Sequence, residues 1–231
     1  MVSLLYATPT VPIPNFLCLT LTPSNQIIHP GRVYGYFKDW DGKSGFDKSK
    51  LPKLYAELDD ASADMIQCLD DEIQAIKKAI EEKYPQVDMS ALHPIKKRIS
   101  YNYKDSISDF STLKSVFNTN DGYAKNVFPT LPHPDGKSVV LNTKGRFFYE
   151  DIPYGLVILK NIGDLLKVPM KNVEKMIQWH QKFMDEKFID DEGNLIKESL
   201  HMTGAPVNYG ITSAYHLCKS SFPELFAVSK I

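Results

Sequence analysis

A long amphipathic helix is the sequence feature that most constrains the fold. Between about residues 54 and 84, apolar side chains recur at three- and four-residue intervals, at Met65, Leu69, Ile73, Ile76 and Ile80. This spacing places them on one face of an α-helix, and Pro85 ends the helix. Asp70, Asp71 and Glu72 are expected on a solvated face. Because an apolar face along so long a helix must be covered, the chain needs further helices packed against it.

Shorter segments repeat this periodicity. Helices are predicted over residues 106–117, after Pro153, after Pro169 and near residues 213–218. The expected inner faces are Ile107, Phe110, Leu113 and Phe117 in the first, Leu156, Leu159, Ile162 and Leu166 in the second, and Val173, Met176, Ile177, Phe183 and Met184 in the third. Strand patterns are few, and the Asp135-Gly136 step indicates a turn in a loop. The predicted fold class is therefore a mostly α, helical bundle-like domain.

Charge and composition exclude several classes of function. The 231 residues include 27 Lys and Arg against 28 Asp and Glu, so no nucleic-acid or membrane partner is expected. No apolar stretch has transmembrane length, and the N-terminus lacks the basic start of a signal peptide, which predicts a cytoplasmic protein. The scattered Cys18, Cys68 and Cys218 predict neither a disulfide scaffold nor a metal site. The short basic cluster at residues 96–98 is expected on the surface.

The stretch Asn25-Gln26-Ile27-Ile28-His29-Pro30 contains the strongest candidate for chemistry. Pro30 disfavours helical backbone at His29, so His29 is expected at the boundary of an element, with its backbone fixed. An imidazole held in this way is suited to proton transfer. A His-Pro step is also a common feature of turns and helix starts, and the residues alone leave both interpretations open.

A second group of candidates lies farther along the chain. Asp151, just before the helix predicted at Pro153, is either a helix N-cap or the carboxylate that fixes the tautomer of His29. Trp40 either walls a pocket or packs at the edge of the core. His180 and His201 are expected on helical or loop surfaces. The sequence contains no motif of the serine hydrolases, zinc proteases, P-loop proteins or dinucleotide-binding folds.

Two of these stretches together resemble a known family. Asn25-x-x-x-His29-Pro30 and the segment Arg146-Phe-Phe-Tyr-Glu-Asp-Ile-Pro-Tyr-Gly-Leu156 are similar to the catalytic domain of the opine dehydrogenases, in particular the octopine-type enzymes. Further matching pieces follow in the family's order: Asn118-Thr119-Asn120 up to Tyr123, Ile177-Gln178-Trp179, and Ala205-Pro206-x-x-Tyr209-Gly210-Ile211. The resemblance covers most of the chain, and the Glu-Asp-Ile-Pro segment is its most specific part.

The resemblance implies an oxidoreductase that condenses an amino acid with a 2-oxo acid, usually pyruvate, using NAD(H) or NADP(H). In this family an N-terminal Rossmann domain binds the cofactor and a helical domain follows it. Residues 1–231 match the helical catalytic domain, and the Rossmann domain is absent from the chain. The chain alone is therefore expected to hold half a site, to need the Rossmann domain as a partner, and to be inactive.

The resemblance also implies roles for individual residues. His29 matches the catalytic histidine, and Asp151 matches its carboxylate partner. Asn25, Arg146 and Trp40 are candidates for binding the substrate; for Arg146, a structural ion pair with Glu150 is the equal alternative. A different class of function is a non-enzymatic helical module that keeps the fold as an interaction or dimerisation surface.

Overall fold

The computed structural model describes residue 10 and residues 12–223, and these residues are mostly helical. The α-helices are α1 Phe16–Leu21, α2 Asn25–Phe37, α3 Asp60–Lys83, α4 Ile95–Asn102, α5 Leu113–Asn118, α6 Arg146–Tyr149, α7 Val157–Leu166, α8 Lys171–His180 and α9 Ala214–Ser221. A π-helical turn, Ile152–Leu156, joins α6 to α7. Strands β1 Thr130–Pro132 and β2 Val139–Leu141 form one antiparallel hairpin, closed by the expected turn at Gly136. The mostly α prediction is confirmed. Of the N-terminal segment, residues 1–9 and 11 lie outside the described residues.

Helix α3 is the centre of the fold. It packs against α2, α7 and α8, and the apolar face predicted for it is buried. The helix begins at Asp60 rather than near residue 54. Asp59 caps it, because its side chain accepts a hydrogen bond from the Ser62 N–H, and the preceding segment instead pairs with Val127 through Lys53. In the sequence, Leu54 and Leu58 continue the apolar spacing of the helix. In the structure both residues lie in the loop before α3, and their side chains are buried in the core.

Helix α2 lies unusually close to α3. A Cβ atom on Gly35 would lie 2.5 Å from the Cα of Ser62, and one on Gly31 would lie 2.8 Å from a side-chain carbon of Ile66. Both distances are shorter than a van der Waals contact, so only glycine permits this approach. The close packing buries most of α2, including His29 and Arg32.

The prediction that His29 lies at an element boundary is wrong. His29 and Pro30 both lie inside α2. Proline has no N–H to donate to the carbonyl of Gln26, and a proline in a helix interior typically costs about 3 kcal/mol. Ten of the thirteen residues of α2 are buried, and this packing outweighs the local preference. The backbone of His29 is therefore fixed by tertiary contacts and not by a turn.

The solvated face predicted for Asp70, Asp71 and Glu72 is also wrong for two of the three. Asp71 is exposed, whereas Asp70 and Glu72 are buried. Asp70 accepts the N–H of Ile95 at 2.9 Å, at the first residue of α4. Glu72 accepts the N–H groups of Asn172 and Val173 at 2.7 and 3.0 Å, in the first turn of α8. Helix α3 thus supplies the carboxylates that satisfy the free N–H groups and dipoles of two other helices.

Replacing Glu72 with alanine is expected to lower the free energy of unfolding by about 2 kcal/mol, because buried N–H groups of α8 lose their acceptor. Asp71→Ala is the matched control. Among the described residues its carboxylate accepts a hydrogen bond from Gln67 alone, in an exposed pair, so a change within about 0.5 kcal/mol is expected. Urea denaturation followed by circular dichroism measures both. Equal effects of the two substitutions would contradict the assignment of Glu72.

The position of Arg98 and the extent of the helix predicted over residues 106–117 are also corrected. In the basic cluster, Arg98 is buried; it donates to Ser24 Oγ at 3.0 Å and lies 3.7 Å from Asp70 Oδ1. The helix predicted over residues 106–117 is limited to α5, because Thr112 and Ser115 form a capping box at its start. Phe110, expected on its inner face, is 44% exposed. The helices predicted after Pro153 and Pro169 and near residue 213 are present as α7, α8 and α9.

Candidate active site

The structure brings His29 and Asp151 together across 122 positions of sequence. The Nδ1 atom of His29 lies 2.7 Å from Oδ2 of Asp151, and both side chains are less than 10% exposed. A carboxylate accepts only, so Nδ1–H donates to Asp151, and in the neutral ring Nε2 carries the lone pair. The side chain of Asp151 makes no capping hydrogen bond to the turn that follows it. Its position next to His29 is therefore not explained by an N-cap.

The backbone around Asp151 explains how it reaches α2. Asp151 lies between α6 and the π-helical turn, and its carbonyl accepts the N–H of Leu156 at 2.9 Å. A Cβ atom on Gly155 would lie 2.6 Å from Cβ of Gln26, so glycine lets the turn rest directly on α2. π-Helical turns are rare and frequently lie at functional sites. Here the turn sets Asp151 at hydrogen-bond distance from the imidazole.

Aromatic side chains complete the surroundings of His29. Phe147 stacks on the imidazole with ring centroids 3.9 Å apart and an interplanar angle of 18°. The hydroxyl of Tyr55 lies 2.5 Å from His29 Nε2. Burial, together with the negative charge of Asp151, raises the pKa of Tyr55 to about 12, while the positive charge of Arg146 acts in the opposite direction. Tyr55 is therefore a neutral phenol, whose O–H can donate to a lone pair on Nε2.

Arg32 holds the segment that carries Tyr55. The guanidinium is fully buried. It donates to the carbonyl of Leu54 at 2.7 Å and to those of Lys53 and Glu57 at 3.0 Å each, and it pairs with the Asp59 carboxylate. The backbone on both sides of Tyr55 is thus anchored to α2, one helical turn after His29. Sequence reasoning missed Tyr55 and Arg32. An arginine between Ile27-Ile28 and Val33 on a buried helix was the available signal, since a buried charge requires partners.

The three candidates for substrate binding lie in different surroundings. Arg146 is 57% exposed, lies 3.7 Å from Glu150 Oε2, and is close enough for its charge to act on Tyr55. Asn25 is exposed at the start of α2, one turn before His29. Trp40 stacks on Phe183 with centroids 5.3 Å apart. Arg146 thus lies near Tyr55 and Asn25 lies one turn before His29, and their roles in binding substrate remain predictions.

Trp40 lies in a different environment from the pair. It lines a cavity of about 360 Å³ together with Tyr36, Phe37, Asp39, Asp41, Ser44 and Phe46. Its indole N–H donates to the Ser44 carbonyl at 2.8 Å. Neither His29 nor Asp151 lines this cavity, so the structure does not bring Trp40 to the pair. Binding of substrate by Trp40 stays a prediction.

The prediction for the other two histidines is half right. His201 is exposed, but His180 is completely buried in an aromatic cluster with Phe148 and Trp179. Burial lowers the pKa of His180 to about 4, and the ring donates from Nδ1 to the Met176 carbonyl at 2.7 Å. His180 lies three residues after Ile177 and four after Met176, so helical spacing places it on the apolar face of α8. Phe148 packs against its ring there.

Two kinds of feature are absent from the described residues. Residue 10 and residues 12–223 include no group of three or more His, Cys, Asp or Glu side chains arranged to hold a metal ion. No helix in this part of the chain combines the length and apolar character needed to cross a bilayer.

Comparison with known proteins shows the family of this chain. Residues 12–184 match the family model described as NAD/NADP octopine/nopaline dehydrogenase, alpha-helical domain. The chain belongs to this family. Among the relatives of the octopine/nopaline dehydrogenase family, a tauropine dehydrogenase of Arabella iricolor is 32% identical over 87% of this chain and 51% of its own length. An opine dehydrogenase of Haliotis discus hannai is 33% identical over 82% of this chain and 46% of its own length.

Solved structures of octopine dehydrogenases are also similar to this chain. An octopine dehydrogenase with NADH and L-arginine superposes with a TM-score of 0.80 at 26% identity, covering 89% of this chain and 49% of that one. The same family is represented by an octopine dehydrogenase solved with NADH and pyruvate, with a TM-score of 0.74 at 25% identity over 89% and 48% of the two chains. The chain thus spans about half the length of the family members it matches.

Proposed function

We propose that this chain is the substrate-binding and catalytic domain of an opine dehydrogenase. The reaction is the NAD(P)H-dependent reductive condensation of an amino acid with a 2-oxo acid such as pyruvate. The buried hydrogen bond of 2.7 Å between His29 and Asp151 carries this proposal. The substrate classes are taken from octopine dehydrogenases that have been solved with L-arginine and with pyruvate. We assign the whole span 1–231 to this domain.

The His29–Asp151 pair suits the proton transfers of such a reaction. Condensation of an amine with an oxo group requires a proton at the oxo oxygen, and the amine nitrogen must lose one. Asp151 fixes the imidazole so that Nε2 is the nitrogen that exchanges protons, and its negative charge stabilises the imidazolium form. Stacked Phe147 covers one face of the ring and keeps water from it. His29 is thus assigned as the general acid and base.

Arg146 is assigned to bind the carboxylate of a substrate. A guanidinium binds a carboxylate through two parallel hydrogen bonds. Its present partner Glu150 is 64% exposed at 3.7 Å, and exposed pairs of this kind contribute about 0–1 kcal/mol. A substrate carboxylate can therefore replace Glu150 at little cost. Asn25 offers an amide for a further polar group of the substrate.

The described residues do not fit a dinucleotide by themselves. Their named strands are the two three-residue members of one antiparallel hairpin, and the sequence has no glycine-rich fingerprint. We propose that a separate Rossmann domain holds the NAD(P)H, which supplies the hydride. Three exposed apolar residues, Ile13 just before α1 and Phe16 and Leu19 within it, offer a surface for that domain.

The test joins this chain at its N-terminus to the nucleotide-binding half of the Arabella iricolor relative. Oxidation of NADH is followed by absorbance with pyruvate and a panel of amino acids, for the joined protein and for the chain alone. We expect turnover in the joined protein only, and its loss on His29→Ala substitution.

Binding of NADH to the joined protein, measured by fluorescence, shows that the added half is folded. A joined protein that binds NADH but turns over no pair of substrates would contradict the proposed function. That result would favour the non-enzymatic helical module instead.

A further inference from the structure

The position of Tyr55 raises a question about how His29 reaches a substrate. His29 is 3% exposed. Its Nδ1 is bonded to Asp151, one ring face is covered by Phe147, and its Nε2 faces the Tyr55 hydroxyl at 2.5 Å. Nε2 is the nitrogen left for proton exchange, and the phenol occupies its hydrogen-bonding direction. A substrate that approaches Nε2 along this direction therefore meets the Tyr55 oxygen first.

The position of Tyr55 is fixed by its surroundings. Arg32 binds the carbonyls of Lys53, Leu54 and Glu57, which surround Tyr55 in sequence. The phenol ring packs on Tyr123 with centroids 4.8 Å apart. These contacts hold the hydroxyl at His29 Nε2, close enough to Arg146, the proposed partner of the substrate carboxylate, for its charge to act on the phenol. The phenol is therefore part of the site and is not a mobile side chain that happens to touch it.

We propose that Tyr55 is a catalytic residue of the reaction proposed above, and that its hydroxyl passes the proton between His29 Nε2 and the substrate oxo oxygen. This inference rests on the proposed function and adds a residue to it. Tyr55 is half-buried, more exposed than His29, and is the outer member of the series Asp151, His29, Tyr55.

The transfer balances without an ionised phenol. It starts from the imidazolium, which forms when Nε2 takes, through the Tyr55 hydroxyl, the proton that the substrate ammonium loses. As the amine nitrogen donates its lone pair to the oxo carbon, the C=O π electrons become a lone pair on oxygen, which takes the proton of the Tyr55 hydroxyl. The Tyr55 oxygen takes the Nε2 proton of the imidazolium at the same time. One N–H and one O–H bond break, two O–H bonds form, and the products are a protonated carbinolamine, a neutral imidazole and an unchanged phenol. Because no phenolate forms, the raised pKa of Tyr55 does not oppose the step.

Tyr55→Phe removes the hydroxyl alone, and Tyr123→Phe is the matched control. Tyr123 is an adjacent buried tyrosine that packs on Tyr55 and Tyr103, and its hydroxyl is not the partner of His29. In the chain of 231 residues, ¹⁵N NMR of the imidazole reports the hydrogen bond without any turnover. We expect the His29 Nε2 resonance to move in Tyr55→Phe and to stay within its line width in Tyr123→Phe.

The activity of the joined protein then decides the role. We expect kcat to fall about 100-fold in Tyr55→Phe, which is within the range for loss of general acid–base catalysis, with KM for the oxo acid changed less than about threefold. Tyr123→Phe should stay within about twofold in both constants. An equal or higher kcat together with a changed KM in Tyr55→Phe would overturn the proposal, because the phenol would then only occupy the position of a substrate oxygen.

The failures of the two proposals are distinguishable. A wild-type joined protein that binds NADH but shows no turnover overturns the proposed function and the role of Tyr55 with it. A kcat in Tyr55→Phe within about twofold of the wild-type value overturns the role of Tyr55 alone. An unchanged Nε2 resonance in Tyr55→Phe overturns the hydrogen bond itself, whatever the activity.

Discussion

Asp151→Asn is expected to lower kcat of the joined protein about 1,000-fold while leaving the fold intact. The amide has nearly the shape of the carboxylate, so α6 and the π-helical turn keep their packing. It carries no charge to stabilise the imidazolium, and its NH₂ group can turn toward Nδ1 and favour the wrong tautomer of His29. Losses of about 10²–10⁴-fold are typical when a general base or its orienting carboxylate is disabled. Steady-state oxidation of NADH with saturating substrates measures the effect.

Glu150→Gln is the matched control for Asp151→Asn. Glu150 is the adjacent carboxylate in sequence, but it is 64% exposed and pairs with Arg146 rather than with His29. We expect kcat to change less than about threefold, because an exposed pair contributes little. The opposite ranking, with Glu150→Gln the inactive variant, would transfer the carboxylate role to Glu150. Near-normal activity in both variants would remove the acid–base assignment of the pair.

Arg32→Met is expected to lower the free energy of unfolding by about 3–5 kcal/mol. Methionine fills much of the same volume but donates no hydrogen bond. The carbonyls of Lys53, Leu54 and Glu57 lose the guanidinium as their donor, and acceptors left unpaired in the interior are costly. Urea denaturation measures the loss. The joined protein should also lose activity, because the segment carrying Tyr55 is no longer anchored to α2.

Arg146→Met is the control for stability. This side chain is 57% exposed, so its replacement is expected to change the free energy of unfolding by less than about 0.5 kcal/mol. The two variants make the same chemical change at a buried and at an exposed arginine. If both unfold at the same urea concentration as the wild type, Arg32 does not hold the segment as described.

Part of the fold and part of the site were predictable from sequence. The apolar stripe of α3 and most of the inner faces of α7 and α8 followed from periodicity, because each depends on residues three or four positions apart. Phe183 and Met184 were predicted on the inner face of the third helix but lie beyond the end of α8 and are only partly buried. His29 and Asp151 were found through the family resemblance of two distant stretches. No spacing rule connects residues 122 positions apart, and their contact depends on how α2 meets the π-helical turn.

The misses share one physical cause. Asp70, Glu72 and Arg98 are polar residues at helical positions that the sequence pattern assigns to solvent. Each is buried because the terminus of another helix packs against it. His180 lies on the apolar face of α8 and packs against Phe148. Tyr55 lies in a loop, where periodicity carries no information, and it reaches His29 because Arg32 anchors that loop. In each case the partner is distant in sequence, so the local pattern does not reveal it.

Helix α2 carries both the imidazole and the arginine that positions its phenol partner, three residues apart. Each residue of an α-helix turns the chain by about 100°. A one-residue insertion or deletion between His29 and Arg32 would therefore rotate the anchor away from the loop and separate Tyr55 from Nε2. The mostly exposed residues 41–45 precede the anchored segment, and loop length changes there at small entropic cost. In related sequences, insertions and deletions are therefore expected to occur within residues 41–45 and to be absent between positions 29 and 32.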